Sequence, residues 1–306
     1  MGKRLYKAKL ATRALLEGTA LVVGAARVLL ASRPSWFGYI RYVTPLIHTD
    51  DHRSLTRQAI DALAREGMVE SDSPLAARRR LVEASSGLLD LAEMAAHDRP
   101  TAGRPRRESS HMYDPVARIG IDDARYVNAL EDFTDYWERA RVYAKAGPEE
   151  RAMVMLGYCS HLLQDMAVPA HTHCAPHGLE NRTADNLELQ SRARSFRVRM
   201  GEAAPRGEKA AHLAIFGEMA LESRGLEGSG VENEIAGVLR KYYEPPRREG
   251  GLWKGSYIGD PYRPVRRPIK SSPRISLVDL ITLRNHLMAA AVERTAELIR
   301  HFLEVT

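Results

Sequence analysis

Three side chains in the run HLLQDMAVPAH, His161, Asp165 and His171, carry the most readable chemistry of this chain. His161 and Asp165 stand four residues apart, so on a helix they project from one face, a single turn apart. Pro169 stops such a helix, and His171 comes back over its end from the following turn. Imidazole nitrogen and carboxylate oxygen are ligands that zinc accepts, and a helix presents two of them at this spacing without strain. A lone His-x3-Asp is more often a surface or capping ion pair. Here His173 and His177 follow at once, and further isolated histidines stand upstream, so the layout reads as metal-binding.

Helices must position this cluster. Apolar residues recur at helical spacing through Val154 to Leu163, Ala210 to Leu221 and Ile275 to Val305, whereas aromatics are sparse and few segments alternate at period two. The expected fold is all-α, a single-domain multi-helix bundle, with helices at about 52–67, 75–97, 122–145, 148–166, 184–200, 207–222, 230–243 and 275–304. Glu244 to Pro273, rich in Pro, Gly, Arg and Tyr, reads as a loop excursion at about 244–273, either a rim over the metal site or a surface feature. In the last helix Leu277, Leu280, Ile281, Leu287 and Met288 face a core, with Arg284 either snorkelling to solvent or pairing with a buried acid. His212, His286 and His301 read as ordinary core or surface histidines.

The 306 residues, 44% of them hydrophobic, suffice for a substantial core. A formal charge of +6 and a pI of about 9.3 favour phosphate-bearing partners without choosing between lipid headgroups and nucleic acid. No nucleic-acid-binding motif accompanies the basic runs, which makes that class the minority reading. Two cysteines, Cys159 and Cys174, are too few for a disulfide framework; they either pair in an exported protein or remain buried thiols. Residues 1–33 place Lys3, Arg4, Lys7, Lys9 and Arg13 before an apolar stretch from Ala14 to Ala31, an order open to reading as an export signal, an amphipathic surface helix or a packed helix. Glu17 and Arg27 argue against a spanning helix, because each central charge costs roughly 2.5–3.5 kcal/mol on insertion. The domain therefore covers residues 34–306, and export or membrane association is favoured over a cytoplasmic location.

Two further blocks precede the metal run. DDHRSLTRQAIDAL places His52 at the head of an amphipathic helix with Leu55, Ala59, Ile60 and Leu63 on one face. ASSGLLDLAEMAAHDRP then ends a helix with Asp98 just before Pro100, and ESSHMYDP puts His111 thirteen residues after Asp98. Together with LGYCSHLLQDMAVPAH these segments resemble, in the same order, the metal-binding segments of the zinc-dependent phospholipase C family and its relatives, the single-strand-specific zinc nucleases.

The resemblance implies two to three zinc ions. Asp98, His111, His161 and Asp165 would form one site, with Asp165 bridging to a second ion also held by His52. His171 would begin a third, completed by His177 and Glu188, with His173 and Glu180 as rivals. The family's amino-terminal ligand has its counterpart only in Trp36, which reads better as a core or interface aromatic, so His48, Asp50 or Asp51 would serve instead. His97 would be a supporting partner of its neighbour Asp98. A zinc-activated water, oriented or deprotonated by Asp98, would hydrolyse a phosphoric ester. The implied activity is that of a phospholipase C-like phosphodiesterase acting on phospholipid headgroups, with membrane-surface contact. The alternatives are a single-strand-specific zinc nuclease and a non-catalytic zinc-binding scaffold.

Overall fold

The computed structural model describes residues 36–68, 74–89, 111–121, 127–175, 195–196, 211–226, 233–257 and 276–306, and of residues 36–50 the backbone only. The chain divides into two compact units, Met1–Ile47 and His48–Thr306. Of the first, the helical backbone from Trp36 onward is described. The basic segment 1–33 and the helix expected at 184–200, apart from residues 195–196, lie outside the described residues.

Among the described residues the helices are α1 (Trp36–Arg65), α2 (Pro74–Ser86), α3 (Ala129–Ala146), α4 (Glu149–Asp165), the single turn α5 (Pro169–Thr172), α6 (Ala211–Arg224), α7 (Asn233–Tyr242) and α8 (Leu277–Val305). The fold is all-α, as the apolar periodicity requires. No helix among the described residues is long and apolar enough to cross a membrane.

α4 is the organising element, with α2, α3 and α8 packed around it. From Leu156 to Asp165 every residue except the half-buried Tyr158 is buried, so the helix has almost no solvent face and its polar residues must find partners inside. Gly157 makes the closest approach possible: a Cβ there would stand 2.6 Å from Ser85 Cβ and 2.7 Å from the Val82 carbonyl oxygen of α2. The core around α4 gathers Leu55, Ile60 and Leu63 of α1, Phe133 and Trp137 of α3, Phe216 of α6 and Leu287, Ile299 and Phe302 of α8. Burying a side chain of this kind stabilises by roughly 1.5–3 kcal/mol.

Element boundaries differ from the sequence expectation where local signals compete. α1 starts at Trp36 rather than near His52 and runs through Pro45, although a proline inside a helix forfeits one backbone hydrogen bond. His52 is therefore an interior residue of a long helix. α3 begins at Ala129, not near 122, because Asn128 caps it. The Asn128 side-chain oxygen accepts from the backbone N–H groups of Leu130 and Glu131, and Glu131 accepts from the Asn128 N–H. Arg284 does not snorkel to solvent; it is buried and donates from Nε and Nη2 to Asn285. Cys159 and Cys174 are free buried thiols.

The largest correction concerns the excursion at 244–273. Its described part is an antiparallel hairpin, β1 (Tyr243–Glu249) and β2 (Leu252–Tyr257), turned by Gly250 and Gly251 at φ 59° and 84°. Two consecutive positive φ values suit the twist of a two-residue hairpin turn, and glycine adopts them without strain. The register slips between Glu244 and Arg247, where Pro245 and Pro246 have no N–H to give the ladder. Residues 258–273 of the excursion lie outside the described residues.

Candidate metal centre

α4 delivers His161 and Asp165 one turn apart, both buried. α1 supplies His52 from the opposite side, and its ring stacks on that of His161 with centroids 3.9 Å apart. His111 arrives from the segment before α3. Two bonds clamp that segment to the turn after α4: His171 Nδ1 donates to the His111 carbonyl at 2.9 Å, and the Tyr113 N–H donates to the His171 carbonyl at 3.2 Å. Pro169 at the first position of α5 starts this turn, where its missing N–H is harmless.

Asp165 lies at the centre. Its Oδ2 is 2.8 Å from His111 Nδ1 and 3.3 Å from His161 Nε2, and its Oδ1 is 3.5 Å from His52 Nε2. His161 Nε2 is also 3.3 Å from His111 Nδ1. The far nitrogens are spoken for. His161 Nδ1 is 2.7 Å from the Ser86 carbonyl, which can only accept, so Nδ1 carries the proton and Nε2 presents a lone pair. His52 Nδ1 is 3.0 Å from Gln164 Oε1, which assigns the same tautomer to His52. Two imidazole lone pairs thus point at an anionic carboxylate, an arrangement favourable only with positive charge between them.

That charge is either protons on the rings or a cation. Ligand atoms of His52, His161 and Asp165 all lie within 4.8 Å of one another, close enough to hold one metal ion. Borderline-soft imidazole with one carboxylate is a donor set suited to zinc, and Nδ1–H groups tied to carbonyl oxygens are the usual way such ligands are aimed. Burial alone would raise the Asp165 pKa. With the rings protonated, the charges of His161 and His171 and the hydrogen bonds from His111 and His161 outweigh it and hold the carboxyl well below its ordinary range.

The turn after α5 has the opposite character. His173 is buried and donates Nδ1–H to the Pro169 carbonyl at 2.7 Å, with the Tyr243 ring 4.8 Å away. Burial, and then the nearby Arg224 guanidinium, push its pKa down to about 3, so it is neutral at neutral pH. Arg224 faces Asp114 at 3.6 Å, and Asp114 accepts the Trp253 indole N–H at 2.9 Å. The hairpin docks here. Trp253 N–H donates to the Ile121 carbonyl at 2.8 Å and Gly255 N–H to the Cys174 carbonyl at 3.2 Å, and no side chain would fit at Gly255, where a Cβ would overlap the His173 carbonyl.

Of the residues singled out from sequence, His52, His111, His161 and Asp165 come together, and His171 braces them through His111. Asp98, His177, Glu180, Glu188 and His97 lie outside the described residues, as do the side chains of Trp36, His48 and Asp50. Asp51 is buried. The rings of His212 and His301 lie nearly parallel to that of Trp137, at 4.6 and 5.5 Å, and His286 pairs with Glu222 at 2.8 Å. Gln164 went unnoticed in the sequence, although a lone amide in an otherwise apolar helix, three residues past His161, was its signal.

No protein-family model matches this chain, and no curated protein sequence does. Among solved structures it is similar to the alpha toxin from Clostridium absonum, with a TM-score of 0.52 at 12% identity over 84% of this chain and 64% of that one. It is likewise similar to alpha-toxin from an avian strain of Clostridium perfringens, with a TM-score of 0.50 at 11% identity over 83% of this chain and 63% of that one. The chain thus spans a little under two thirds of the length of these structures, and the likeness is one of fold.

Proposed function

We propose that the protein is a zinc-dependent phosphoric ester hydrolase, a phospholipase C-like phosphodiesterase acting on phospholipid headgroups. One observation carries the reading: three imidazoles, those of His52 and His161 with fixed tautomers, converge on Asp165, and its two oxygens divide them, His52 on the Oδ1 side and His161 with His111 on the Oδ2 side. A carboxylate so divided suits two ions held in register. The resemblance of the sequence blocks and the fold shared with two alpha toxins support the same reading.

In it, Asp98, His111, His161 and Asp165 hold one ion, and His52 and Asp165 a second. His171 begins a third site with His177 and Glu188, for which His173 and Glu180 are the rivals. The electrostatics beside Arg224 disfavour His173, because a cation there would face a guanidinium. Zinc, when bound, supplies Lewis acidity that neutralises phosphoryl oxygens and makes water nucleophilic at neutral pH. Asp98 orients that water and accepts its proton. Ser86, Gln164 and the His111 backbone keep His161, His52 and His171 aimed. Work on phospholipid agrees with an exported or membrane-associated protein.

The test is hydrolysis of phosphatidylcholine and single-stranded DNA side by side, with chelator and with added zinc. The reading expects zinc-dependent release of the phosphorylated headgroup, lost in Asp98→Asn while much of the metal stays. Faster cleavage of DNA would replace it with the nuclease reading. A zinc-loaded protein inactive on both would replace it with the scaffold.

A further inference from the structure

We propose that Gln164 is a positioning residue for His52, selecting its metal-binding tautomer and linking metal affinity to the docking of α1 and α8 on α4; this rests on reading the His52, His161 and Asp165 cluster as a divalent-cation site. Gln164 sits between the two α4 residues of that cluster, and neither the sequence blocks nor the ligand set assigns it a role. Its Oε1 is 3.0 Å from His52 Nδ1, across 112 residues of sequence. Its Nε2 donates to Thr56 Oγ1 of α1 at 2.9 Å and to Thr295 Oγ1 of α8 at 3.3 Å. Gln164, Thr56 and Thr295 are all fully buried, so water cannot replace any of these bonds.

An amide can face His52 in two ways. With Oε1 toward the ring, Nδ1 carries the hydrogen and Nε2 offers its lone pair to a cation shared with Asp165. With NH2 toward the ring, Nδ1 accepts, Nε2 carries the hydrogen, and His52 cannot bind metal. In the structure the amide nitrogen gives its two protons to Thr56 and Thr295, which leaves Oε1 facing His52, the first arrangement. One helix thereby sets the ligand of another, and by linkage a metal ion that needs this tautomer strengthens the same contacts between α1, α4 and α8.

Three variants test this, Gln164→Met, Gln164→Glu and Thr295→Val, each compared with wild type for zinc affinity by competition with a chromophoric chelator. The His52 tautomer is read by 15N NMR, and stability by denaturation in chelator. Methionine keeps the volume and removes the acceptor. Glutamate can only accept, while the threonine hydroxyls turn to donate to it. The expected result is a loss of about 10- to 100-fold in zinc affinity for Gln164→Met, the usual effect of removing the partner of a metal-binding imidazole. Gln164→Glu should bind at least as tightly as wild type with Nδ1–H retained, and Thr295→Val should lose a few-fold. If Gln164→Met does not fold, Thr295→Val decides: unchanged affinity overturns the inference. So does a folded Gln164→Met protein that binds zinc like wild type. A wild-type protein that takes up no zinc would instead overturn the metal reading beneath it.

Discussion

His161 and His173 lie twelve residues apart, both buried, and each donates Nδ1–H to a backbone carbonyl at 2.7 Å, from Ser86 and Pro169 respectively. Judged by that support alone, both are aimed like metal ligands. They differ in what the other nitrogen meets. The Nε2 of His161 faces the Asp165 carboxylate at 3.3 Å, whereas His173 lies under the influence of the Arg224 guanidinium and against the Tyr243 ring. The stretch from α4 through α5 therefore runs from an anionic pole at its own Asp165 to a cationic pole at Arg224 of α6, where the guanidinium faces Asp114. A fixed imidazole suits a metal ion only at the first. Hydrogen-bonded support sets direction, and the charge opposite decides what the direction is for.

Breaking the anionic pole should have the largest effect. Asp165→Asn keeps the shape and removes the charge, and we expect zinc affinity to fall by more than about 100-fold, beyond what loss of a supporting partner causes. Chelator competition would read this directly, and unchanged affinity would place the cation elsewhere.

At the cationic pole, the metal-free protein should show the pH signature of a histidine buried neutral. His173 takes up its proton near 6.5 in the unfolded chain and only near about 3 in the folded one. The unfolded state then binds more protons in that window, so stability rises with pH there. The contribution is whole above about pH 6.5 and falls away toward pH 3, by up to ~1.4 kcal/mol per pH unit. Denaturation across this range should show that slope in wild type and its loss in His173→Gln. Parallel curves would mean that His173 takes up its proton over the same range in the fold as in the unfolded chain.

Gly157→Ala sharpens the comparison through packing. The new methyl meets Ser85 Cβ and the Val82 carbonyl, and relieving it moves α2 away from α4. We expect about 1–3 kcal/mol of destabilisation and weaker zinc binding, because the Ser86 carbonyl that fixes His161 moves with α2. Lost stability with full affinity would show that His161 needs no such brace. The smallest effect belongs to Trp253→Phe, which removes the indole hydrogen bond to Asp114 and should cost about 1 kcal/mol. Its zinc affinity should match wild type, since it touches only the cationic pole; a matching fall in affinity would mean that the poles are coupled.

The sequence announced the helices through apolar periodicity, and the face of Leu55, Ala59, Ile60 and Leu63 is buried as that spacing requires. It also held His52, His111, His161 and Asp165 in readable blocks that the fold brings together. The hairpin was not legible, because YEPPRRE has two prolines and four charged residues and almost none of the alternation that marks a strand. The Ser86 carbonyl was not legible either, since a backbone oxygen has no letter of its own and its role depends on how closely Gly157 lets α2 approach. Gln164 shows the intermediate case. Its position on α4 was plain, but its partners Thr56 and Thr295 come from the two ends of the chain.

The most direct measurement is bound metal per chain, by elemental analysis of protein purified without chelator and again after zinc addition and desalting. The proposed zinc-dependent reading predicts two to three zinc ions per wild-type chain, and the convergence on Asp165 a clear loss in Asp165→Asn. Trace metal in the wild type, with none taken up from added zinc, would contradict the account: the imidazoles around Asp165 would then be held by protons alone.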